Sequence, residues 1–324
     1  MSPRVRAAMP EPPWVVVADP IDPAALARLR AGPCRVADAS QDPALFERVL
    51  PDAWGLVVRS RTKVTDDLLA RAPHLQLIAR AGVGVDNIDM AAAGRRGIRV
   101  VNAPAAATAS VAELTVLLSL LLVRGVYPQL AGTRAGRWER GTHGREIAGR
   151  TAGFVGYGRI AREVARRLAP FGVRCLAFDP YVPAAVDATE IVPFDTLLER
   201  SDLLSVHAAL TPENRHLLDA RAFARMKPGA YLVNVARGAL VDEAALLTAL
   251  NSGRLAGAAL DVLEVEPPMN RALVEHPHVL VTPHIGASTE EAQQRAGSDT
   301  VDEVLRALRG EPLTALVAPP GGAR

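Results

Sequence analysis

The sequence predicts an α/β protein of two lobes, each built on a parallel sheet. Three observations carry this. At 324 residues the chain exceeds what a single core usually holds, so two lobes are expected. Only 4% of residues are Phe, Trp or Tyr, against 49% in the whole hydrophobic set. That balance, dominated by Ala, Val and Leu, suits helices on parallel strands better than an aromatic-rich sandwich. Finally, short unbroken apolar runs alternate with helical segments, as in a sheet covered on both faces.

Taken in order, "WVVVADP" from Trp14 predicts a buried strand opening the first unit after a loose, Pro-containing leader. "PAALARLRAG" follows as a helix ending at glycine, and "CRVAD" as a second strand. "WGLVVRS" and "LQLIARAG" predict further strands around the helix "TDDLLARAP", and "GIRVVNAP" repeats the strand-to-loop pattern. The small-residue stretch "APAAATAS" then leads into a long apolar helix, and the spacing of Ser110 and Glu113 predicts a capping box at its start. A second series comes next: "TAGFVG", "VRCLAFDP", "DLLSVHAAL", "GAYLVNVA", "AGAALDV" and "VLVTPHIG" each read as a strand ending in a loop. Helices such as "DEAALLTALNSG" separate most of them, and a final helix runs from about Ser288 to Leu308. The predicted division is a first lobe over 1–103, a second lobe over 104–287, and a segment over 288–324 returning to the first.

Charge and cysteine usage exclude several function classes. Lys plus Arg number 37 against 35 for Asp plus Glu, and the net charge of +2 is spread along the chain. Nucleic-acid binding, which usually needs a basic stripe, is not expected. Cys34 and Cys175 lie far apart, which argues against a disulfide scaffold or cysteine metal site and for a reducing cytoplasm. The run "ELTVLLSLLLV" is shorter than a bilayer span, so a soluble protein without membrane partners is expected. No HExxH or cysteine cluster predicts a metal, and no nucleophile elbow or Walker loop occurs.

The stretch "FVGYGRIAREV" reads as a strand end, a glycine turn and a helix start. Gly156 and Gly158 occupy the first two positions of G-x-G-x-x-G/A and Ala161 the third. The first permits a tight turn, the second lets the backbone of Tyr157 to Ile160 approach a pyrophosphate, and Ala161 lets the helix press on the sheet. The free N–H groups and dipole of the helix start, at Arg159 and Ile160, favour the phosphates. Asp179, at the end of "VRCLAFD", stands where a carboxylate accepts hydrogen bonds from an adenosine ribose. Its charge disfavours a 2′-phosphate, so NAD is predicted rather than NADP. Its alternative role is to cap a turn before Pro180.

Hydride transfer from a hydroxy acid also needs a base, a cation for the carboxylate, and a group that poises the base. His284, Arg237 and Glu266 each follow an inferred strand, at the carboxyl edge where open α/β sheets bind ligands. An imidazole takes and returns a proton near neutral pH. A carboxylate such as Glu266 stabilises the imidazolium, and the planar fork of Arg237 suits a substrate carboxylate.

"LIARAGVGVDNIDM", "VGYGRIAREVA", "VNVARGALVDEAALLTAL", "GAALDVLEVEPP" and "TPHIGAST" resemble the D-isomer-specific 2-hydroxyacid dehydrogenase family over nearly the whole chain. The resemblance implies two Rossmann-like lobes, a flavodoxin-like substrate lobe and an inserted NAD-binding lobe. It makes Arg237 the carboxylate-binding arginine, Glu266 its acidic partner and His284 the acid–base histidine. It puts Asp261 near the nicotinamide carboxamide, and His207, Ala236 and Gly286 beside the cofactor. Arg59, Ser60, Val83 and Gly84 match substrate-binding positions, with Arg59 directed at a phosphate. A homodimer is implied, with the helices around 110 to 125 at the contact.

The implied substrates are a D-2-hydroxy acid and its 2-keto acid, 3-phosphoglycerate and 3-phosphohydroxypyruvate first, as in serine biosynthesis. Ala107 stands where phosphoglycerate-oxidising members carry a substrate-binding asparagine. This favours, as the alternative, glyoxylate, hydroxypyruvate or a specialised biosynthetic acid. The family also includes NAD-sensing corepressors, a reading opposed by the complete Arg–Glu–His set. The chain ends soon after its last helix, so regulatory domains and feedback through them are not expected.

Overall fold

The computed structural model describes residues 12–318 apart from 139, 141–142, 183–184, 186 and 270. The first eleven residues of the leader and the end of the tail, 319–324, lie outside the described residues. The chain divides into two compact units, Met1–Ala107 with Ser288–Arg324, and Thr108–Ala287.

In the first unit the strands are β1 (Trp14–Val17), β2 (Arg35–Asp38), β3 (Ala53–Val58), β4 (Leu77–Arg80) and β5 (Arg99–Asn102). They form one parallel sheet in the order β2-β1-β3-β4-β5. This is the flavodoxin-like order, with its switch point between β1 and β3. The apolar runs become strands because both faces are covered: every residue of β3 is buried, as the unbroken hydrophobic pattern requires. Helices α1 (Pro23–Arg30), α2 (Pro43–Val49), α3 (Asp66–Ala70) and α4 (Met90–Arg95) fill the crossovers. Their starts are set by Asp22, Asp42, Thr65 and Asp89, whose side chains each accept a backbone N–H of the first turn. Ile78 is fully buried among Leu56, Leu69 and Ile98, and truncating it to alanine would cost about 2–5 kcal/mol.

The second unit starts with α5 (Thr108–Val123) and α6 (Val126–Arg134). Its seven-stranded sheet follows, from β6 (Thr151–Val155), β7 (Arg174–Phe178), β8 (Glu190–Ile191), β9 (Leu203–Val206), β10 (Ala230–Asn234), β11 (Leu255–Leu260) and β12 (Val279–Val281). All pairings are parallel, in the order β12-β11-β10-β9-β6-β7-β8. That is the doubly wound dinucleotide-binding order extended by one strand, with β6 beside the switch point. The covering helices include α7 (Arg159–Leu168), α8 (Phe194–Arg200), α9 (Ala220–Arg225), α10 (Glu243–Asn251) and the short α11 (Arg271–Val274). The chain then returns to the first unit through α12 (Glu290–Leu308), started by Thr289. The segment after α12 rejoins the first sheet, where the Val317 N–H donates to the Val100 carbonyl at 2.8 Å.

The division into units falls at 107/108, where the sequence predicts 103/104. Ala103 and Ala106 pack with Ala296 of α12, and Arg295 Nε donates to the Ala106 carbonyl at 2.9 Å. The capping box is absent, because α5 starts at Thr108 and Ser110 is a buried residue inside it. The Glu113 carboxylate meets Arg167 of α7 at 3.2 Å instead of turning back to the helix start.

Candidate functional site

The residues singled out in the second unit all lie at the carboxyl ends of its strands. Read across the sheet, His284 follows β12, Asp261 and Glu266 follow β11, and Arg237 follows β10. His207 follows β9, Gly156 follows β6 and Asp179 follows β7. Adjacent strands lie about 4.8 Å apart, so residues distant in sequence become neighbours along one edge.

At the glycine turn, Gly156 has φ +84°, and its N–H donates to the Phe178 carbonyl at 2.8 Å. A Cβ there would stand 2.8 Å from backbone atoms of Ala208, so both conformation and space demand glycine. Gly158 is the N-cap of α7 and supplies no side-chain cap. Open space surrounds the point where its Cβ would project. The helix start is therefore left to its own N–H groups, with Arg159 exposed, Ile160 half-buried and Ala161 fully buried. This fits a phosphate-bearing cofactor. The Tyr157 side chain turns into the core, where its hydroxyl meets Thr189 Oγ1 at 2.6 Å. Asp179 accepts the Tyr157 N–H at 2.8 Å through Oδ2 and the Tyr181 N–H at 2.9 Å through Oδ1. It thus ties the two loops together, and each oxygen retains acceptor capacity for a ribose hydroxyl.

His207 ends β9 with Nε2 2.8 Å from Ser205 Oγ. Its Nδ1 is buried without a hydrogen-bond partner. Burial pushes its pKa down to about 3, so the ring is neutral.

His284 Nδ1 lies 2.8 Å from Glu266 Oε2. The other oxygen of Glu266 accepts the Leu263 N–H at 3.0 Å, which fixes the carboxylate toward the ring. His284 is held at φ +54°, a region that non-glycine residues rarely adopt. Its N–H reaches the Asp261 and Thr282 carbonyls, each at 2.9 Å. Asp261, 1% exposed, organises this turn by accepting from Thr282 Oγ1 and the N–H groups of Ile285 and Gly286. Arg237 is half-buried, and Nη1 donates to the Ala236 carbonyl at 2.6 Å. The fully buried Asn234 holds both ends of that turn, donating to the Arg237 carbonyl at 2.9 Å and accepting the Ala236 N–H at 3.0 Å. Asn234 was not singled out in the sequence, although an amide closing an apolar strand is its one signal.

The first-unit residues form their own group. Asp19, 2% exposed, accepts the Arg59 N–H at 2.6 Å and the Thr62 N–H and hydroxyl. It locks the loop after β3, with Ser60 exposed on it. Arg59 opens onto a cleft of about 510 Å³ whose lining includes Pro20, Asp22, Thr289 and Gln293. The Val83 carbonyl accepts from Asn102 Nδ2 at 2.6 Å, and Gly84 follows it half-buried. Ala107 is buried at 5% exposure. Among the described residues no group of three or more His, Cys, Asp or Glu could hold a metal. No single helix there is long and apolar enough to cross a membrane.

Residues 116–286 match the family described as "D-isomer specific 2-hydroxyacid dehydrogenase, NAD binding domain". The chain is 42% identical over 310 residues to human D-3-phosphoglycerate dehydrogenase, covering 94% of this chain and 58% of that protein. It thus spans less than two thirds of the length of that relative. A glyoxylate reductase from Paecilomyes thermophila shares its fold at TM-score 0.87 and 30% identity, covering 95% of this chain and 99% of the other. An NAD-dependent formate dehydrogenase from Staphylococcus aureus, solved with NAD, matches at TM-score 0.82 and 31% identity, covering 94% and 98%. The sheet order, the glycine turn and these matches agree: the chain belongs to the D-isomer-specific 2-hydroxyacid dehydrogenase family, and its second unit carries the NAD-binding domain of that family.

Proposed function

We propose that this chain is an NAD-dependent oxidoreductase interconverting a D-2-hydroxy acid and its 2-keto acid. The observation that carries the reading is the 2.8 Å contact between His284 Nδ1 and Glu266 Oε2, on strand ends neighbouring that of Arg237. Bound NAD supplies the hydride acceptor. The uncapped start of α7 takes the pyrophosphate, with Gly156, Gly158 and the N–H groups of Arg159 and Ile160 around it. Asp179 takes the ribose hydroxyls, which favours NAD over a 2′-phosphorylated cofactor. With Nδ1 engaged by Glu266, His284 exchanges a proton through Nε2. It takes the hydroxyl proton as the acid is oxidised and returns it as the keto acid is reduced. Glu266 stabilises the imidazolium, and Arg237 holds the substrate carboxylate.

The proposed substrate pair is 3-phosphoglycerate and 3-phosphohydroxypyruvate. Support comes from Arg59 at its cleft and from the phosphoglycerate dehydrogenases among the relatives. A second reading, a non-phosphorylated acid such as glyoxylate or hydroxypyruvate, is favoured by Ala107, which offers no hydrogen bond. The free thiols of Cys34 and Cys175 fit a cytoplasmic enzyme. A homodimer is supported by Leu117 at 52%, Leu130 at 52% and Trp138 at 76% exposure along α5, α6 and the segment beyond.

NADH oxidation by the purified protein with 3-phosphohydroxypyruvate, hydroxypyruvate and glyoxylate tests the proposal. A strong preference for the phosphorylated acid supports the substrate pair. Turnover of only another 2-keto acid discards that pair and keeps the proton relay.

A further inference from the structure

The loop after β11 carries Glu266, and its position depends on groups the relay does not include. Two residues before Glu266, the Glu264 carboxylate meets Arg215 and, through Oε1, His216 Nε2 at 3.0 Å. The Glu264 N–H donates to Glu243 Oε1 at 2.6 Å. On the other side of the same contact, the His216 N–H donates to the Ala239 carbonyl at 2.8 Å, in the short turn directly after Arg237. His216 is held at φ +53°, against the preference of a side chain with a Cβ. A Cβ at Gly238 would overlap the Leu263 carbonyl group, 1.9 Å from its carbon, so the two loops are in direct backbone contact.

We propose that His216 and Glu264 form a positioning clamp that ties the loop bearing Glu266 to the turn bearing Arg237. His216 bonds one loop through its backbone and the other through its ring. Arg215 and Glu243 complete the clamp, Arg215 on the same carboxylate and Glu243 on the Glu264 N–H. The consequence for function rests on the proposed relay: a small drift of Glu266 misorients His284, and a misplacement of about 1 Å can cost on the order of 100-fold in rate. Neither clamp residue exchanges a proton with substrate, so both are positioning residues.

His216→Gly tests this directly, because glycine accepts the backbone conformation and removes only the ring. The expected result is an unfolding midpoint no lower than the parent's and kcat for keto-acid reduction about tenfold lower. KM for NADH stays within about twofold, since the glycine turn lies outside the clamp. His216→Gln, which retains a donor for Glu264, restores most of kcat. Amide exchange at Leu263 and Glu264 quickens in His216→Gly and in Glu264→Ala. A parent-like kcat in His216→Gly, or unchanged exchange in both variants, would overturn the clamp. If the parent turns over none of the three keto acids, the functional reading fails, while the exchange measurement still decides whether the clamp holds the loop.

Discussion

Acidifying the protein from pH 7 to pH 5 should destabilise the second unit by an amount set largely by one residue. His207 has a pKa of about 3 in the folded chain because burial disfavours its charged form, whereas an unfolded histidine titrates near 6.5. Between these values the unfolded chain binds a proton that the native chain does not. Stability therefore rises with pH across this window and is lost as pH falls below about 6.5. Integrating the difference from pH 7 to pH 5 gives about 2 kcal/mol. For a unit of this size that lowers the midpoint by about 4–8 °C. Glu163 is drawn to a pKa of about 2 by Arg166 and Arg167 and contributes only at lower pH. His276 shifts in the same direction as His207, through burial first and the neighbouring His278 second. Thermal unfolding at the two pH values should show the drop in the parent and a clearly smaller one in His207→Gln, even if that variant is less stable at pH 7. Equal drops in both proteins would refute the assignment.

Three further outcomes follow from the site. Gly156→Ala should abolish measurable NADH binding in a fluorescence titration and destabilise the fold by about 1–3 kcal/mol, since the backbone is left-handed and Ala208 fills the space. Asp179→Ala should weaken NADH binding about tenfold and narrow the preference over NADPH, measured by parallel titrations, because it removes the ribose acceptor and the Tyr157 tie. Arg237→Lys keeps the charge but loses the planar fork. Its steady-state kcat/KM should fall about 10- to 100-fold while NADH affinity is retained.

Much of this architecture was legible in the sequence because its determinants are local. "WGLVVRS" predicts β3 since an unbroken apolar run has few other uses, and Gly156, Gly158 and Ala161 predict a turn whose spacing is fixed by backbone geometry. The edge position of His284, Glu266 and Arg237 could be read because each follows an apolar run. That these three strands, β12, β11 and β10, lie side by side came only with the sheet order. What stayed hidden depends on pairing across distance. The grip of Asp19 on the loop after β3, 40 residues away, leaves no periodic trace. The Glu264–His216 contact spans 48 residues. The Ser110 and Glu113 spacing misled because Glu113 finds Arg167 on a neighbouring helix, and a capping pattern carries no information about such competition. Ala103 and Ala106 gave too weak a signal to show that they pack on α12.

In the proposed reaction hydride passes directly to a carbon next to a carboxylate, with His284 as the proton carrier. This is tested most directly by running 3-phosphohydroxypyruvate, hydroxypyruvate and glyoxylate with NADH deuterated at the transferring position, using parent protein and His284→Ala. The expected outcome is deuterium at C2 of a hydroxy acid, of D configuration where C2 is already a stereocentre, and a loss of about 100- to 10,000-fold in rate in the variant. An unlabelled product, a product of L configuration, or a His284→Ala enzyme as fast as the parent would contradict it.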